Sequence, residues 1–523
     1  MGDNFTHLYN PRKSFVVRWH HHLQTPKNSW LIRCDVGQVV TIDVLPDDVL
    51  LTIFDFYVIR YQDLDLSEIL FNVPNSKWKI QSWQSLVHVC QRWRGLVFGS
   101  PRRLNLQLYC MPTSTRKSLD VWPALPLILG GVSESETSMD NAIAELEHSN
   151  RICQITLYCT TASQVETLFT ALKVPFPELA ILHLSFRGLS HQPVFPDSLL
   201  GGSAPRLRYL SLTSVSFPGI SNLLLSATHL VCLWLQNIPH SGYISPEAMA
   251  TCLSMLKSLE SFSLEFESPQ SCPDQENRRS PPPTRFILPP LVSFSFKGVN
   301  EYLEDLLSRI DVPRLYQLWA TFFNDIDFDT PELIQFIRRT STFGTHDNVY
   351  LIFYSHEALV MLQQPKPDRG EVVVSISCQA SDWQLSSLTQ ICTLFLSHLL
   401  TVESLYIHEN LYSPPAWKDG VERADWLDLL LPFTGVKNLY ISKQFSPLIA
   451  PALQELTGAR TIEVLPALRN ILLEGFQPSE PVQEGIAQFI TARQLTNHPV
   501  AISVWDRNLL LEKVWEVGEW FSR

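Results

Sequence analysis

Glycine is scarce, 20 of 523 residues, and none of it forms a G-x-x-x-x-G-K-[ST] phosphate loop or a G-x-S-x-G elbow. Those arrangements let backbone amides cradle a phosphate or hold a nucleophile on a tight turn, and an H-E-x-x-H zinc helix is missing too. Ten cysteines include no C-x-x-C pair and are too few for a disulfide framework in so long a chain, so reduced thiols are expected. No apolar run reaches the roughly 18–20 residues of a membrane span, and the N-terminus lacks the apolar core of a signal peptide. A cytoplasmic or nuclear protein without a membrane partner is expected. The formal net charge of −12 argues against a nucleic-acid partner, which favours a basic face. The nearest thing to a metal site is His20-His21-His22, but adjacent residues on an extended chain point in different directions, and no cysteine or carboxylate cluster flanks them. No metal, cofactor or catalytic residue is expected.

What is present is apolar residue in quantity, 45% against 18% charged, over a length too great for one core. Two or more units should result. LPDDVLLTIFDFY, from Leu45 to Tyr57, reads as a helix. Pro46 suits a first helical position, and Asp47 and Asp48 put negative charge at the positive end of the helix dipole. Val49, Leu50, Ile53, Phe54 and Tyr57 then form one apolar stripe. In WQSLVHVCQRWRGLVF, from Trp83 to Phe98, Leu86, Cys90, Trp93 and Val97 repeat at i, i+4, i+7 and i+11, with Val89 beside them. A second amphipathic helix or a broken pair is expected. By periodicity alone, both stretches also fit the core of an ordinary helical cap.

The order of residue types says more. Leu-Pro, Val-Leu, Ile-Phe and then Leu-x-x-Val-Cys-x-x-Trp resembles an F-box, and RWRGLVFGSPRRLNLQLYC followed by LDVWPALPL is similar to the large F-box family of mushroom-forming fungi. The resemblance implies a three-helix unit over 41–102 that binds the Skp-type adaptor of a cullin-RING ubiquitin ligase. Leu45, Pro46, Val49, Leu50, Ile53 and Phe54 would face the adaptor or support that face. Leu86, Val89, Cys90 and Trp93 would complete the unit. The docking contacts themselves are expected at Leu45, Pro46, Ile53 and Phe54. The sequence departs from the family in one respect, an insert at 59–82 with its own apolar residues Leu64, Leu66, Ile69, Leu70 and Phe71.

From about residue 150 a figure recurs, apolar-x-x-apolar-x-apolar. It reads ICQITL from Ile152, LAILHL from Leu179, LRYLSL from Leu207, LVCLWL from Leu230, LESFSL from Leu259, LVSFSF from Leu291, VESLYI from Val402, VKNLYI from Val436 and LRNILL from Leu468, with a weaker copy at Leu315–Leu318. The first six copies start about 23 to 32 residues apart, near the period of leucine-rich repeats. The last two apolar positions alternate on a short strand, and the first anchors the turn before it. Helical stretches lie between, such as SQVETLFTALK from Ser163 and TPELIQFIRRT, with Thr330 as cap and Pro331 in the first turn. VYLIFY and VVVSIS, between Val349 and Ile376, are strand-like but fit loosely. The expected fold is an α+β or α/β solenoid, a three-helix F-box unit followed by a curved leucine-rich-repeat-like array over 103–475, with a large α/β domain of buried parallel strands as the alternative.

Ser268 to Thr284, polar and proline-rich, should be a surface loop, and Gln363 to Gly370 and Ser413 to Arg423 smaller ones. Residues 476–523 should cap the array, through Val482, Ile486, Phe489 and Ile490 on a helix, a strand from Val500, and LLLEKVWEVGEWF from Leu509. Residues 1–40 are expected to be a tail or an extra pairing strand. His183, His229, His398 and His408 are read as core-edge residues. The function expected is a non-catalytic substrate adaptor that binds the Skp-type subunit and a substrate protein. The alternatives are a repeat scaffold uncoupled from ubiquitination and an enzyme on an α/β fold with titratable groups converging in one pocket. Aromatic and arginine residues on the concave face would be the first substrate contacts.

Overall fold

The computed structural model describes residues 31–33, 39–41, 44–59, 83–110, 124–132 and 143–507, apart from 102, 105, 190, 219, 272–283, 324–329, 365–369, 378–382, 416–422, 457 and 476–479. Most of the expected insert and loops, and LLLEKVWEVGEWF, lie outside the described residues. The chain divides into two compact units, with a boundary between Gln107 and Leu108.

The first unit is helical beyond a short antiparallel pair, β1 (Leu31–Arg33) with β2 (Val39–Thr41). Helix α1 (Asp47–Ile59) begins after Pro46, with Asp47 and Asp48 in its first turn. The second stretch is the broken pair, α2 (Trp83–Val87) and α3 (Gln91–Gly99). Cys90 sits at the break in extended conformation, and its Sγ accepts from the Trp93 amide at 3.5 Å, capping α3. Leu50, Phe54 and Val58, at i, i+4 and i+8, are buried with Trp83, Leu86, Trp93 and Val97. The Phe54 and Trp93 rings meet at 4.7 Å. Burying each such side chain contributes roughly 1.5–3 kcal/mol.

The second unit is mixed α/β, built on one sixteen-stranded sheet. All nine copies of the apolar figure are strands of it. In chain order they are β5 (Ile152–Cys159), β6 (Ile181–Phe186), β7 (Tyr209–Thr213), β8 (Cys232–Ile238), β9 (Ser261–Phe266), β11 (Ser293–Gly298), β17 (Ser404–Glu409), β18 (Asn438–Ile441) and β19 (Asn470–Glu474). The weaker copy gives β13 (Gln317–Phe323), and β3 (Leu108–Cys110), β4 (Leu127–Val132) and β20 (Ala501–Trp505) sit toward the two edges. A separate parallel pair joins β10 (Phe286–Ile287) to β12 (Ile310–Asp311). The anchoring residues Leu207, Leu230, Leu291, Val402 and Val436 are fully buried. Each donates its amide to the carbonyl three residues back where a helix-to-strand turn precedes it, as Leu207 to Ala204, Leu230 to Ala227 and Val402 to Leu399. The next residue bonds the preceding repeat, as Arg208 to Ala180, Val231 to Arg208 and Lys437 to Glu403. The same tight turn therefore sets each strand's register against its predecessor.

One interruption breaks the parallel order. β14 (Asn348–Phe353), β15 (Glu357–Gln363) and β16 (Glu371–Ser377) form a meander, and β15 is antiparallel to both its neighbours. The chain passes from β13 to β14, two places beyond the adjacent slot, and returns through β15 to β16 beside β13; β17 then pairs with β14. This explains why VYLIFY and VVVSIS fit the repeat figure poorly: they belong to a meander instead of single strand-helix repeats. The sequence reading missed β15, EALVMLQ, altogether.

Helices cover one face of this sheet. Phe169 of the helix Ala162–Ala171 meets Phe186 of β6, Tyr302 of Asn300–Arg309 meets Phe266 and Phe296, and Trp426 of Arg423–Leu430 meets Phe353. Thr161 and Gln164 form a capping box on the first of these. The expected Thr330 cap is a correction. Its side chain makes no capping bond. Instead the Glu304 carboxylate, from the preceding helix, accepts from the amides of Glu332 at 2.7 Å and Leu333 at 2.9 Å. A carboxylate there satisfies two orphan amides and complements the helix dipole.

Candidate protein-binding surfaces

In the helical unit, the proposed adaptor-facing residues divide by face. Leu50 and Phe54 point inward on the same turns that leave Val49, Ile53 and Phe56 at 38%, 41% and 69% exposure. Phe54 as a docking contact is therefore corrected: its ring fills the core against Trp93. Leu86 and Trp93 are likewise interior, and Val89 and Cys90 are half-buried. Leu45 is half-buried and Pro46 exposed at the helix entrance. Arg92 fixes that entrance, its Nη2 donating to the Leu45 carbonyl at 2.6 Å and to Asp47 Oδ1 at 2.5 Å. Phe56 was missed because the stripe at i, i+1, i+4 and i+5 passes it by. An apolar residue off the stripe was the available signal.

In the sheet unit the face away from the helices is read by alternation, since neighbours of Phe186, Phe296 and Phe353 point the other way. Over β5 to β11 its central row is polar or small: Thr156, His183, Ser211, Ser263 and Ser295, with Trp234 at half-burial. Burial, with Arg187 nearby, pushes the His183 imidazole down to about 4, so it is neutral near pH 7. Glu265 is raised by burial, and bonds from Ser263 at 3.0 Å and Gln236 at 3.4 Å partly offset this.

From β13 onward the row turns apolar and aromatic: Trp319, Val373, Met361, Tyr350, Tyr406 and Tyr440 stand in register across six neighbouring strands. Tyr350 and Tyr406 stack at 4.6 Å, and Tyr406 and Tyr440 at 4.1 Å. Ile352 and Leu359 extend the cluster. Burial raises the Tyr350 and Tyr406 phenols above the ordinary tyrosine range. Beside the cluster, both Glu371 carboxylate oxygens are buried without a hydrogen-bond partner, and desolvation lifts the carboxyl to about 7. The sequence carried a signal for this strip: in LVCLWL, VESLYI and VKNLYI the residue between the last two apolar positions is Trp or Tyr. The expected arginines do not appear in the row.

Of the histidines, His183 and His408 are buried, His398 is half-buried and His229 is exposed. Among the described residues no group of three His, Cys, Asp or Glu side chains is placed to hold a metal ion, and no helix is long and apolar enough to cross a membrane.

Neither a protein-family model nor a curated relative matches the chain. Among solved structures it is similar to the leucine-rich repeat-containing protein LegL7 from Legionella pneumophila, at 12% identity over 64% of this chain and 90% of that one, with a TM-score of 0.26. A superposition that loose carries no functional argument.

Proposed function

We propose that the protein is the substrate-recognition subunit of an SCF-type cullin-RING ubiquitin ligase, non-catalytic itself and working in the cytoplasm or nucleus. The helical unit acts as an F-box that docks on the Skp-type adaptor, and the sheet unit acts as a leucine-rich-repeat-like array that holds the substrate protein. The observation that carries the reading is the two-faced α1. Leu50, Phe54 and Val58 support it from inside, while Val49, Ile53 and Phe56 offer a contiguous exposed apolar row next to Leu45 and Pro46. An exposed row on a helix whose opposite face is fully packed has no role in folding its own unit and fits a helix-in-groove partner. Rate enhancement would come from bringing substrate and ubiquitin-loaded enzyme together, with no acid, base or nucleophile from this chain.

The test is capture of the full chain by the purified fungal Skp-type adaptor. Ile53→Glu with Val49→Glu, both solvent-facing, should abolish capture without changing the circular dichroism spectrum. The Leu45→Ala, Pro46→Ala pair should weaken it. Capture that survives all four substitutions sinks the assignment, and a folded wild type that is not captured at all points to a repeat scaffold uncoupled from ubiquitination.

A further inference from the structure

Before the anchor residue of several repeats stands an apolar side chain that folding leaves outside. Three residues before the anchor the chain is interior, as at Phe176, Ala227, Leu288 and Phe433 before Leu179, Leu230, Leu291 and Val436. Two residues earlier stand Val174, Leu225, Phe286 and Leu431, exposed at 44%, 47%, 39% and 43%, and Leu495 holds the same place before Val500 at 85%. Met255 and Ile462 are exposed apolar residues one position off this place in two further repeats. The strands that these residues precede all run parallel, so the row lies along one edge of the sheet.

That edge is also basic, in a chain whose formal net charge is −12. Lys173, Arg208, Lys257, Arg314 and Arg469 are exposed and, among the described residues, form no ion pair. Of the described carboxylates in the helix-to-strand turns, Glu178, Asp311, Glu403 and Glu455 are each paired with an arginine or lysine, leaving Glu260, Asp347 and Glu463. The opposite edge, where the helices begin, carries Glu247, Glu301, Glu332 and Asp425 in first helical turns. Acids there complement the helix dipoles, whose influence fades within a turn. The dipoles do not account for Lys173 and Lys257, each two residues beyond a helix whose last turn holds no basic residue. One strand length, about 20 Å for six residues at roughly 3.3 Å each, separates the two edges. That exceeds the Debye length of about 8 Å at physiological salt, so the acidic edge is screened from whatever meets the basic one.

We infer that the basic, apolar edge is a peripheral contact surface for the anionic lipid headgroups of a bilayer. The row runs over the twelve strand spacings from β6 to β20, about 58 Å along the sheet at roughly 4.8 Å each. A peptide lying along it would lose contact at Gly202 and at the buried Ile310, which hold the same place before β7 and β13. A headgroup layer admits each apolar side chain independently, while the cations meet its negative surface. The absence of an apolar span bears on crossing a bilayer and not on meeting its surface, so here the inference departs from the expectation of a chain without a membrane partner.

The test is sedimentation of the full chain with vesicles of phosphatidylcholine containing about one-third phosphatidylserine, beside vesicles of phosphatidylcholine alone. The wild type should bind the anionic vesicles, at least tenfold more weakly the neutral ones, and less as salt is raised. Leu225→Glu with Leu431→Glu, and separately Lys173→Glu with Lys257→Glu, should each weaken binding at least tenfold without changing the circular dichroism spectrum or the melting temperature. Val49→Glu with Ile53→Glu should bind vesicles as the wild type does, since the inference is independent of adaptor docking. No vesicle binding by a folded wild type overturns the proposal, as does equal binding to neutral vesicles or binding that either edge variant retains. Capture of the wild type by immobilised polyglutamate and not by vesicles overturns it in favour of an acidic protein segment.

Discussion

At the scale of single residues, burial separates side chains that look alike in the sequence. Ile53 and Phe54 are adjacent on one helix and both apolar, yet Phe54 is fully buried against Trp93 and Ile53 is 41% exposed. Phe54→Ala should therefore cost about 3–5 kcal/mol of unfolding free energy, and Ile53→Ala less than about 0.5 kcal/mol, both readable by urea denaturation. Glu371 gives a pH prediction. Its carboxyl titrates near 7 in the folded chain against an ordinary 4.5, so between those values the folded state holds a proton that the unfolded state has lost. Stability from this group is complete below about 4.5 and is lost as pH rises through about 7. Glu371→Gln should stabilise the protein at pH 8 by about 1–3 kcal/mol and flatten the decline. The histidines held near 4, His183, His346 and His408, act with the opposite sign, losing stability as pH falls below the ordinary 6.5. The difference between variant and wild type removes their contribution. None of this was legible beforehand, because neither the helical stripe nor a lone glutamate before VVVSIS reveals which face closes.

At the scale of elements, the repeat figure was legible because its physics is local. An anchor residue, a three-residue turn and two inward positions are all that a strand of this kind needs, and every full copy became one. The meander was not legible, because β15 pairs antiparallel with strands on both sides and is specified by neighbours instead of by its own pattern. The Glu304 cap is non-local in the same way: the sequence pointed to Thr330, next to the helix, while the working carboxylate comes from 26 residues earlier, counting from Glu304 to Thr330. Glu304→Ala should cost about 1–2 kcal/mol, whereas Thr330→Val should change stability by less than about 1 kcal/mol, since its hydroxyl is buried without a partner. Equal losses for both would contradict this assignment. Gly435 is a close-approach position, where an added Cβ would stand 2.4 Å from the Leu400 carbonyl oxygen. Gly435→Ala should cost about 1–3 kcal/mol as the turn before Val436 is pushed away from its neighbour, measured as a drop in melting temperature.

At the scale of the whole molecule, the two compact units differ in what they present: a small helical one with an exposed apolar row, and a large sheet whose face away from the described helices changes from polar to aromatic along its length. The account's central claim is that the exposed row on α1 joins the chain to a ubiquitin ligase. It is tested most directly by titrating the intact protein into immobilised fungal Skp-type adaptor, with wild type and the Val49→Glu, Ile53→Glu double variant side by side. Saturable binding by the wild type, weakened at least thirtyfold, or about 2 kcal/mol, in an equally folded double variant is the predicted result. Equal binding by the two, or none by a folded wild type, would contradict the claim.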